Sequence, residues 1–386
     1  HSRYAFSADG RSSFFNQTAE DTHSGSATLR SNFRINQKLF VSGSISSSMN
    51  WFSTIYTGAT ATLSKQWRGQ TAVTARGTWS FSDNLSLTLR PGVLATYWHI
   101  TGTPHYRKFE PTAEANIYWG FSRKGYLSGS LYYTSTAPLA SQSGNVLLRQ
   151  TELEWMAGNA ALRSSSEWLA MFSAMWLPVN SFRISFSGSY KRMDNLVITD
   201  YSTAPSELGG IIKTFTNAQP FDTYRAGLIL DYSCLGNRMN ISTGPELSHY
   251  RAHGRYTAHL TSCYAFARIG YTVGNCEFSA GYTIPSRQLT HGGMTTIKKS
   301  DSFELEFTYG NGDLLLKVTA DNILNNHTRL RTYTDAGVYT SFDETLHTGR
   351  KALIILSYTF GYGKKVDRDI NISGPAAVKS GVLGSD

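Results

Sequence analysis

The chain has 386 residues and a formal net charge of +9, with 13% aromatic residues and only 16% charged ones. An ordinary soluble domain carries about a quarter charged residues. The 22 Tyr, 20 Phe and 34 Gly, set among many Ser and Thr, suit strands and tight turns far better than helices. No run of about 18 apolar residues occurs, which excludes a transmembrane helix.

The N-terminal segment lacks the charged and apolar regions of a secretory signal. It begins His1-Ser2-Arg3-Tyr4-Ala5-Phe6-Ser7, which reads as the inside of a strand, so the chain is expected to be N-terminally incomplete. The stretch Trp51 to Gln70 reads either as one long surface loop or as an additional hairpin. Beyond it, Leu85, Leu87 and Leu89 alternate with Ser86, Thr88 and Arg90. The same period of two returns in Phe182, Ile184, Phe186 and Tyr190 against Arg183, Ser185, Ser187, Ser189 and Lys191. It returns again in Phe303, Leu305, Phe307 and Tyr309 against Glu304, Glu306 and Thr308. Successive side chains of a strand point to opposite faces, so each segment is apolar on one side and wet on the other. Several segments exceed ten residues, which suits membrane strands of about 9 to 11 residues better than the 5 or 6 typical of a soluble sandwich.

Connections alternate strictly between short and long. The short ones are Ser82-Asp83-Asn84, Phe121 to Gly125, Leu177-Pro178-Val179-Asn180, Leu235-Gly236-Asn237, Gly274-Asn275 and Gly310-Asn311-Gly312, all with tight-turn chemistry. The long ones run from His99 to Lys108, Ser135 to Arg163, Tyr201 to Phe221, Tyr250 to Arg255, Ser286 to Lys299 and Asn325 to Thr348. Outer-membrane barrels have short periplasmic turns and longer extracellular loops, so the asymmetry assigns a side to each connection. The reading is all-β: a transmembrane antiparallel up-and-down barrel of about 16 to 18 strands over residues 1–362, then a polar periplasmic tail at 363–386. Its location is the outer membrane of a Gram-negative bacterium, in contact with outer membrane lipid and lipopolysaccharide.

Lys and Arg occur in nothing longer than pairs such as Lys191-Arg192 and Lys364-Lys365. That scatter argues against a nucleic-acid partner and for charges on polar faces and rims beside anionic headgroups. Cys234, Cys263 and Cys276 form no CxxC spacing. Cys263 and Cys276 could lie on neighbouring strands and pair in an oxidising compartment; the other reading leaves them as separate thiols. No HExxH, GxSxG or paired-Cys motif exists, so no catalytic residue, cofactor or metal site is assigned and an enzyme is not expected. His249, His253 and His259 lie near one short loop, where ordinary rim histidines are the simpler reading than a metal or haem contact. The expected ligand contacts are loop aromatics and polar groups: Trp98, His99, Tyr106, Trp155, Asn159, Tyr201, His253, Tyr333 and Tyr339. Interface-anchored girdle aromatics are the competing reading for them.

Three stretches resemble the TonB-dependent receptor-like outer membrane barrels of the Bacteroidetes type. Tyr132-Tyr133-Thr134-Ser135-Thr136-Ala137-Pro138-Leu139 followed by Gly158-Asn159-Ala160-Ala161-Leu162-Arg163 is similar to the family's strand and Gly-Asn-Pro-x-Leu-x-Pro loop exit, with Ala160 and Ser164 where Pro is usual. Tyr190 to Ile198 continues that similarity as an aromatic-x-x-x-Asp-x-Ile strand. Val318 to Asn325 resembles the Asn-Leu-Phe-Asn signature of the penultimate strand. In the last strand, Ala352, Ile354, Leu356, Tyr358 and Phe360 look like the C-terminal signal read by the barrel assembly machinery. The tail to Asp386 argues against the branch whose last strand ends the chain. The resemblance implies part of a barrel of about 22 strands. It further implies import of a scarce ligand such as a siderophore, glycan, peptide or cobalamin-like molecule, and coupling to the TonB complex through an N-terminal plug that is not recognisable here. A plugless porin, or a structural, adhesin or secretion-associated barrel, is the alternative.

Overall fold

The computed structural model describes residues 2–6, 14–58, 62–144, 146–324 and 327–360. The wall opens with β1 (Ser2–Phe6), β2 (Phe14–Arg34), β3 (Leu39–Gly58), β4 (Thr62–Ser82), β5 (Leu85–Ile100), β6 (Tyr106–Ser122) and β7 (Gly125–Thr136). The next connection carries a short helix, α1 (Ala140–Ser143), with β8 (Leu147–Arg149) and β9 (Glu154–Ala157). The wall resumes in β10 (Ser165–Val179) and β11 (Phe182–Asp194), and β12 (Val197–Thr203) and β13 (Ile211–Asn217) lie in the loop that follows. Wall strands β14 (Phe221–Cys234), β15 (Met239–Ala252), β16 (Ala258–Val273) and β17 (Cys276–Thr283) come next. A loop hairpin, β18 (Ser286–Thr290) and β19 (Thr295–Lys299), precedes wall strands β20 (Ser302–Asn311) and β21 (Leu314–Asp321). The last loop holds β22 (His327–Asp335) and β23 (Thr340–Thr348), and β24 (Lys351–Tyr358) completes the described wall.

The wall is one 16-stranded antiparallel sheet whose spatial order follows the chain, from β1 to β24, and these two end strands form no ladder with each other among the described residues. The strand number agrees with the expectation from sequence. The predicted short turns all fall at one end of the sheet and the long connections at the other. At the turn after β14 the chain reverses through three successive left-handed residues, Leu235, Gly236 and Asn237, with φ of 53°, 65° and 65°; Gly and Asn accept that region most readily.

Register sorts the side chains. Trp176, Ile184 and Leu230 share one transverse row, Ala174, Phe186 and Leu228 the next, and Ala170, Tyr190 and Tyr224 lie further along the same face. This outer face is apolar between two aromatic borders, Phe182 beside Tyr232 at one end and Tyr190 stacked on Tyr224 at 4.9 Å at the other. The opposite face carries the charges, and they meet across strands: Arg183 with Asp231 at 2.9 Å, Lys191 with Glu167 at 2.7 Å, Lys317 with Glu306 at 2.9 Å and Arg90 with Glu114 at 3.4 Å. An apolar band bordered by aromatics on the outside and polar groups inside is the arrangement a barrel in lipid requires.

Two open readings are decided. Trp51 to Gln70 is not a long surface loop: residues 51–58 and 62–70 are the far ends of β3 and β4, which pair continuously from Leu39↔Trp79 to Tyr56↔Thr62, so the hairpin reading holds with its strands belonging to the wall itself. Cys263 and Cys276 do lie on neighbouring strands, but Cys276 faces Val273, ten positions beyond Cys263 on β16 and so about 33 Å away; all three cysteines are free thiols. The expected tail at 363–386 lies outside the described residues.

Placing a charge on the outer face at mid-band is predicted to be costly. Phe186→Arg should lower unfolding stability in a lipid or detergent environment by about 2–4 kcal/mol, whereas Ser187→Arg, one residue on and facing inward, should change it by well under half as much. Reversible urea denaturation monitored by tryptophan fluorescence measures both, and equal costs would contradict the assigned faces.

Candidate ligand-binding site

The long connections fold into two small sheets, β12-β13-β9-β8 and β18-β19-β22-β23. The β18–β19 hairpin lies against the inward face of β14–β16. Leu289 is buried with Phe221, Tyr250 and Ala252, and Met193, Ala258 and Leu260 pack around that cluster. The Arg287 N–H donates to Ser262 Oγ at 2.9 Å, pinning the hairpin edge to the wall. Its tip approaches so closely that a Cβ on Gly293, where φ is +103°, would collide with the Tyr256 carbonyl oxygen and the Ala252 methyl. Only glycine fits that position.

Between hairpin and wall lies a cavity of about 260 Å³. Its wall side comes from the inward parity of three strands, with Arg225, Ser248 and Ser262 in one transverse row and Glu246 and Tyr264 in the next. The hairpin adds Ser286, Gln288 and Ile297 together with Arg287 and Lys299. Three cations thus line the space against one carboxylate, Glu246, which accepts a hydrogen bond from Ser248 Oγ at 3.3 Å. None of the three cations forms an ion pair among the described residues, whereas inward charges such as Arg183, Lys191 and Lys317 do. A lined hollow with surplus positive charge and hydroxyl donors is suited to an anionic or multiply oxygenated ligand.

The nine loop residues expected from sequence do not converge on this cavity. Trp98 and Tyr106 face inward and stack on each other at 3.5 Å, in a buried cluster with Ile100 and Ala137; the Arg68 guanidinium lies 5.5 Å from the Trp98 ring centre. His99 points to the outer face and stacks on His105 at 4.1 Å. Trp155 sits in β9 beneath Arg149, 5.4 Å from its ring centre. Asn159 ties its loop to the next, donating to the Phe215 carbonyl of β13 at 2.9 Å, and accepts from the Ala161 N–H of its own loop at 2.9 Å. His253 contacts the nearly buried Asp222 at 3.1 Å, and His249 contacts Thr261 Oγ1 at 2.9 Å. Among the described residues no group of three or more His, Cys, Asp or Glu is arranged to hold a metal ion. Tyr333 is exposed on β22. Tyr201 and Tyr339 stack at 4.4 Å, so one loop sheet touches the other at the mouth. Beside them Asp200 ties two loops together, accepting from Arg255 at 2.7 Å and from the Tyr256 hydroxyl at 2.8 Å. The final-strand set Ala352, Ile354, Leu356 and Tyr358 shares the outer parity, with Ile354 opposite Val318 and Leu356 opposite Leu316, and Phe360 packs edge-on against Tyr358.

Sequence reasoning missed Arg225, Glu246, Arg287 and Lys299. The first two carried a usable signal, because they fall on the polar parity of their strands. The other two stood inside a segment read as one undivided loop.

No family model and no curated protein sequence matches the chain. Solved structures do match in fold. The copper transporter OprC superposes with a TM-score of 0.69 at 12% identity, covering 90% of this chain and 60% of that one. The FrpB iron transporter from Neisseria meningitidis (F5-1 variant) gives 0.64 at 9% identity, covering 90% and 56%. The ferric enterobactin receptor PfeA from Pseudomonas aeruginosa, solved as a mutant in complex with enterobactin, gives 0.64 at 11% identity, covering 92% and 56%. The class this defines is an antiparallel up-and-down β-barrel with the wall topology of these metal and siderophore carriers. The chain spans less than two thirds of their length, and at such identities the likeness is one of fold.

Two measurements probe the site's construction. Gly293→Val should unseat the hairpin, raising amide exchange across 286–299 at least about tenfold while β14–β16 amides keep their protection; unchanged exchange would contradict the close approach. Burial, then the bond to Asp200, push the Tyr256 phenol up to about 12. A raised phenol favours the folded loops below pH about 10, and that contribution fades between pH about 10 and 12. The absorbance titration of Tyr256→Phe, subtracted from that of the native chain, should therefore show the missing phenol ionising near 12 rather than near 10.

Proposed function

We propose that this chain is wall and loops of a TonB-dependent receptor of a Gram-negative outer membrane, and that the cavity between β14–β16 and the β18–β19 hairpin receives an anionic ligand such as a metal chelate. The observation that carries the reading is the set of three cations without ion-pair partners, Arg225, Arg287 and Lys299, gathered on the inward face at the long-connection end. The likeness in fold to proteins titled as copper transporter, iron transporter and ferric enterobactin receptor supports it, as do the three stretches that resemble Bacteroidetes-type members. In this reading the short turns and residues 363–386 face the periplasm, and the loop around Gly158 faces outward. Residues 1–362 belong to a wall that further strands complete, and a plug segment makes the contact with TonB. Tyr201, Tyr339 and Tyr333 stand at the mouth as first contacts. The outer row of β24 from Ala352 to Phe360 is the segment the assembly machinery reads. The chain carries transport rather than catalysis.

The test is equilibrium binding by the purified full chain in detergent, with ferric citrate as the small anionic chelate and cyanocobalamin as a probe without net charge. Lys299→Glu and Arg287→Glu should each weaken ferric citrate binding by about tenfold, the expectation for reversing one solvent-screened charge, and leave cyanocobalamin unaffected. Equal binding of both probes, or binding of ferric citrate indifferent to both reversals, would overturn the anionic assignment.

A further inference from the structure

The basic cavity contains one group that its positive lining does not account for. Glu246 stands on the inward face of β15 in the same hollow as Arg225, Arg287 and Lys299, and among the described residues it forms an ion pair with none of them. Inward carboxylates elsewhere on the wall, such as Glu167, Asp231 and Glu306, are paired with Lys191, Arg183 and Lys317. Glu246 Oε1 accepts from the buried Ser248 hydroxyl at 3.3 Å, and Oε2 accepts no hydrogen bond among the described residues.

The wall leaves the Glu246 side chain uncovered on one flank. Directly across on β14 is Gly227, which has no side chain to lie over it, and across on β16 is Tyr264. Toward the short turns the next inward position of β15 is Gly244, where a Cβ would collide with the Phe266 ring. Tyr264 and Phe266 are in ring contact at 6.4 Å. The carboxylate therefore has aromatic rings on one side and a flank free of side chains on the other.

Such a placement discriminates between anions. An anion drawn in by the three cations comes to lie near a negative carboxylate, and the two repel. The repulsion is offset where the ligand brings a hydrogen-bond donor to Glu246, because a bond to a charged acceptor is stronger than one between neutral groups. A hydroxyl meets this need better than an ammonium, which would add a further positive charge to a hollow that already holds three cations against one carboxylate. Ligands without the donor are penalised, which is how a repulsive element creates specificity. At about 260 Å³ the hollow is smaller than the ~300–1,000 Å³ pockets that enclose drug-sized ligands, so it suits a short carbon chain or one end of a larger ligand.

We infer that Glu246 is the specificity-determining residue of this cavity and that the group entering it is a hydroxylated polyanion, of which the hydroxycarboxylates are the simplest. The anionic groups meet Arg225, Arg287 and Lys299, the hydroxyl donates to Glu246, and the carbon skeleton lies against Tyr264. The inference rests on the anionic-ligand reading of the same cavity.

The experiment is isothermal titration calorimetry of the purified full chain in detergent, with metal-free citrate and with tricarballylate, which has the same carboxylates and lacks the hydroxyl. Native protein is expected to bind citrate about tenfold more tightly than tricarballylate. Glu246→Ala should bring the two affinities within about twofold, in part by strengthening tricarballylate, a gain that a merely damaged cavity would not show. Lys299→Glu should weaken both probes alike. Equal native affinities, or an unchanged preference in Glu246→Ala, would overturn the role of Glu246 while the anionic cavity stands. Binding of neither probe to native protein would remove the anionic cavity itself and this inference with it.

Discussion

Everything in this structure depends on the requirement that backbone N–H and C=O groups be paired wherever water is absent. An unpaired group in hydrocarbon costs several kcal/mol, so a sheet that crosses a membrane must run its strands long and in register with both neighbours. The wall meets that demand with antiparallel ladders that link every neighbouring strand from β1 to β24, with register irregularities only near the short-turn ends, between Ser80 and Ser82, Trp119 and Ser122, and Trp176 and Val179. Once the ladders are fixed, parity has no freedom left. A shift of one residue would carry Ile184, Phe186 and Tyr190 to the inside and Arg183 and Lys191 into lipid. The inward ion pairs then follow from the same register, since Arg183 and Asp231 are directly opposite one another.

The long connections solve a different problem, because they stand clear of lipid and need cores of their own. They form two four-stranded sheets, one of which is anchored through Leu289 and Gly293 to the inside of the wall. That anchoring creates the basic cavity. Arg225 on β14 and Arg287 on β18 are far apart in the chain, yet the hairpin brings both to one hollow. Unpaired cations are tolerated there because the hollow is open to water, which solvates them until a ligand arrives.

Much of the wall was legible in the sequence, and the reason is physical. Lipid on one side and water on the other force a strict period of two, and turns as tight as Leu235-Gly236-Asn237 force Gly and Asn to the surface of the pattern. The pattern blurred at Trp51 to Gln70 because β3 and β4 there reach the edge of the lipid layer and rise beyond it. Outer positions such as Ser53 and Lys65 become polar as well, and the contrast between faces disappears although the ladder continues. The cysteine pairing was open in the sequence because adjacency of strands says nothing about height along them. The basic cavity was not legible for a related reason: parity places Arg225 inside, but only the seating of the hairpin places Arg287 and Lys299 opposite it. The loop aromatics were visible as residues and not as contacts, since stacking partners such as Trp98 with Tyr106 or Tyr201 with Tyr339 are set by tertiary register.

Barrel, site and transport role all depend on which face of the wall meets lipid. Cysteine scanning of residues 182–191 in β11, with Cys234, Cys263 and Cys276 replaced by serine and the protein reconstituted in lipid vesicles, tests this most directly. A membrane-impermeant maleimide should label positions 183, 185, 187, 189 and 191, and a lipid-soluble quencher should reach probes at 184, 186 and 188 instead, in strict alternation. Labelling of both sets by the aqueous reagent, with no period of two, would contradict a lipid-embedded barrel and with it the functional reading built on that wall.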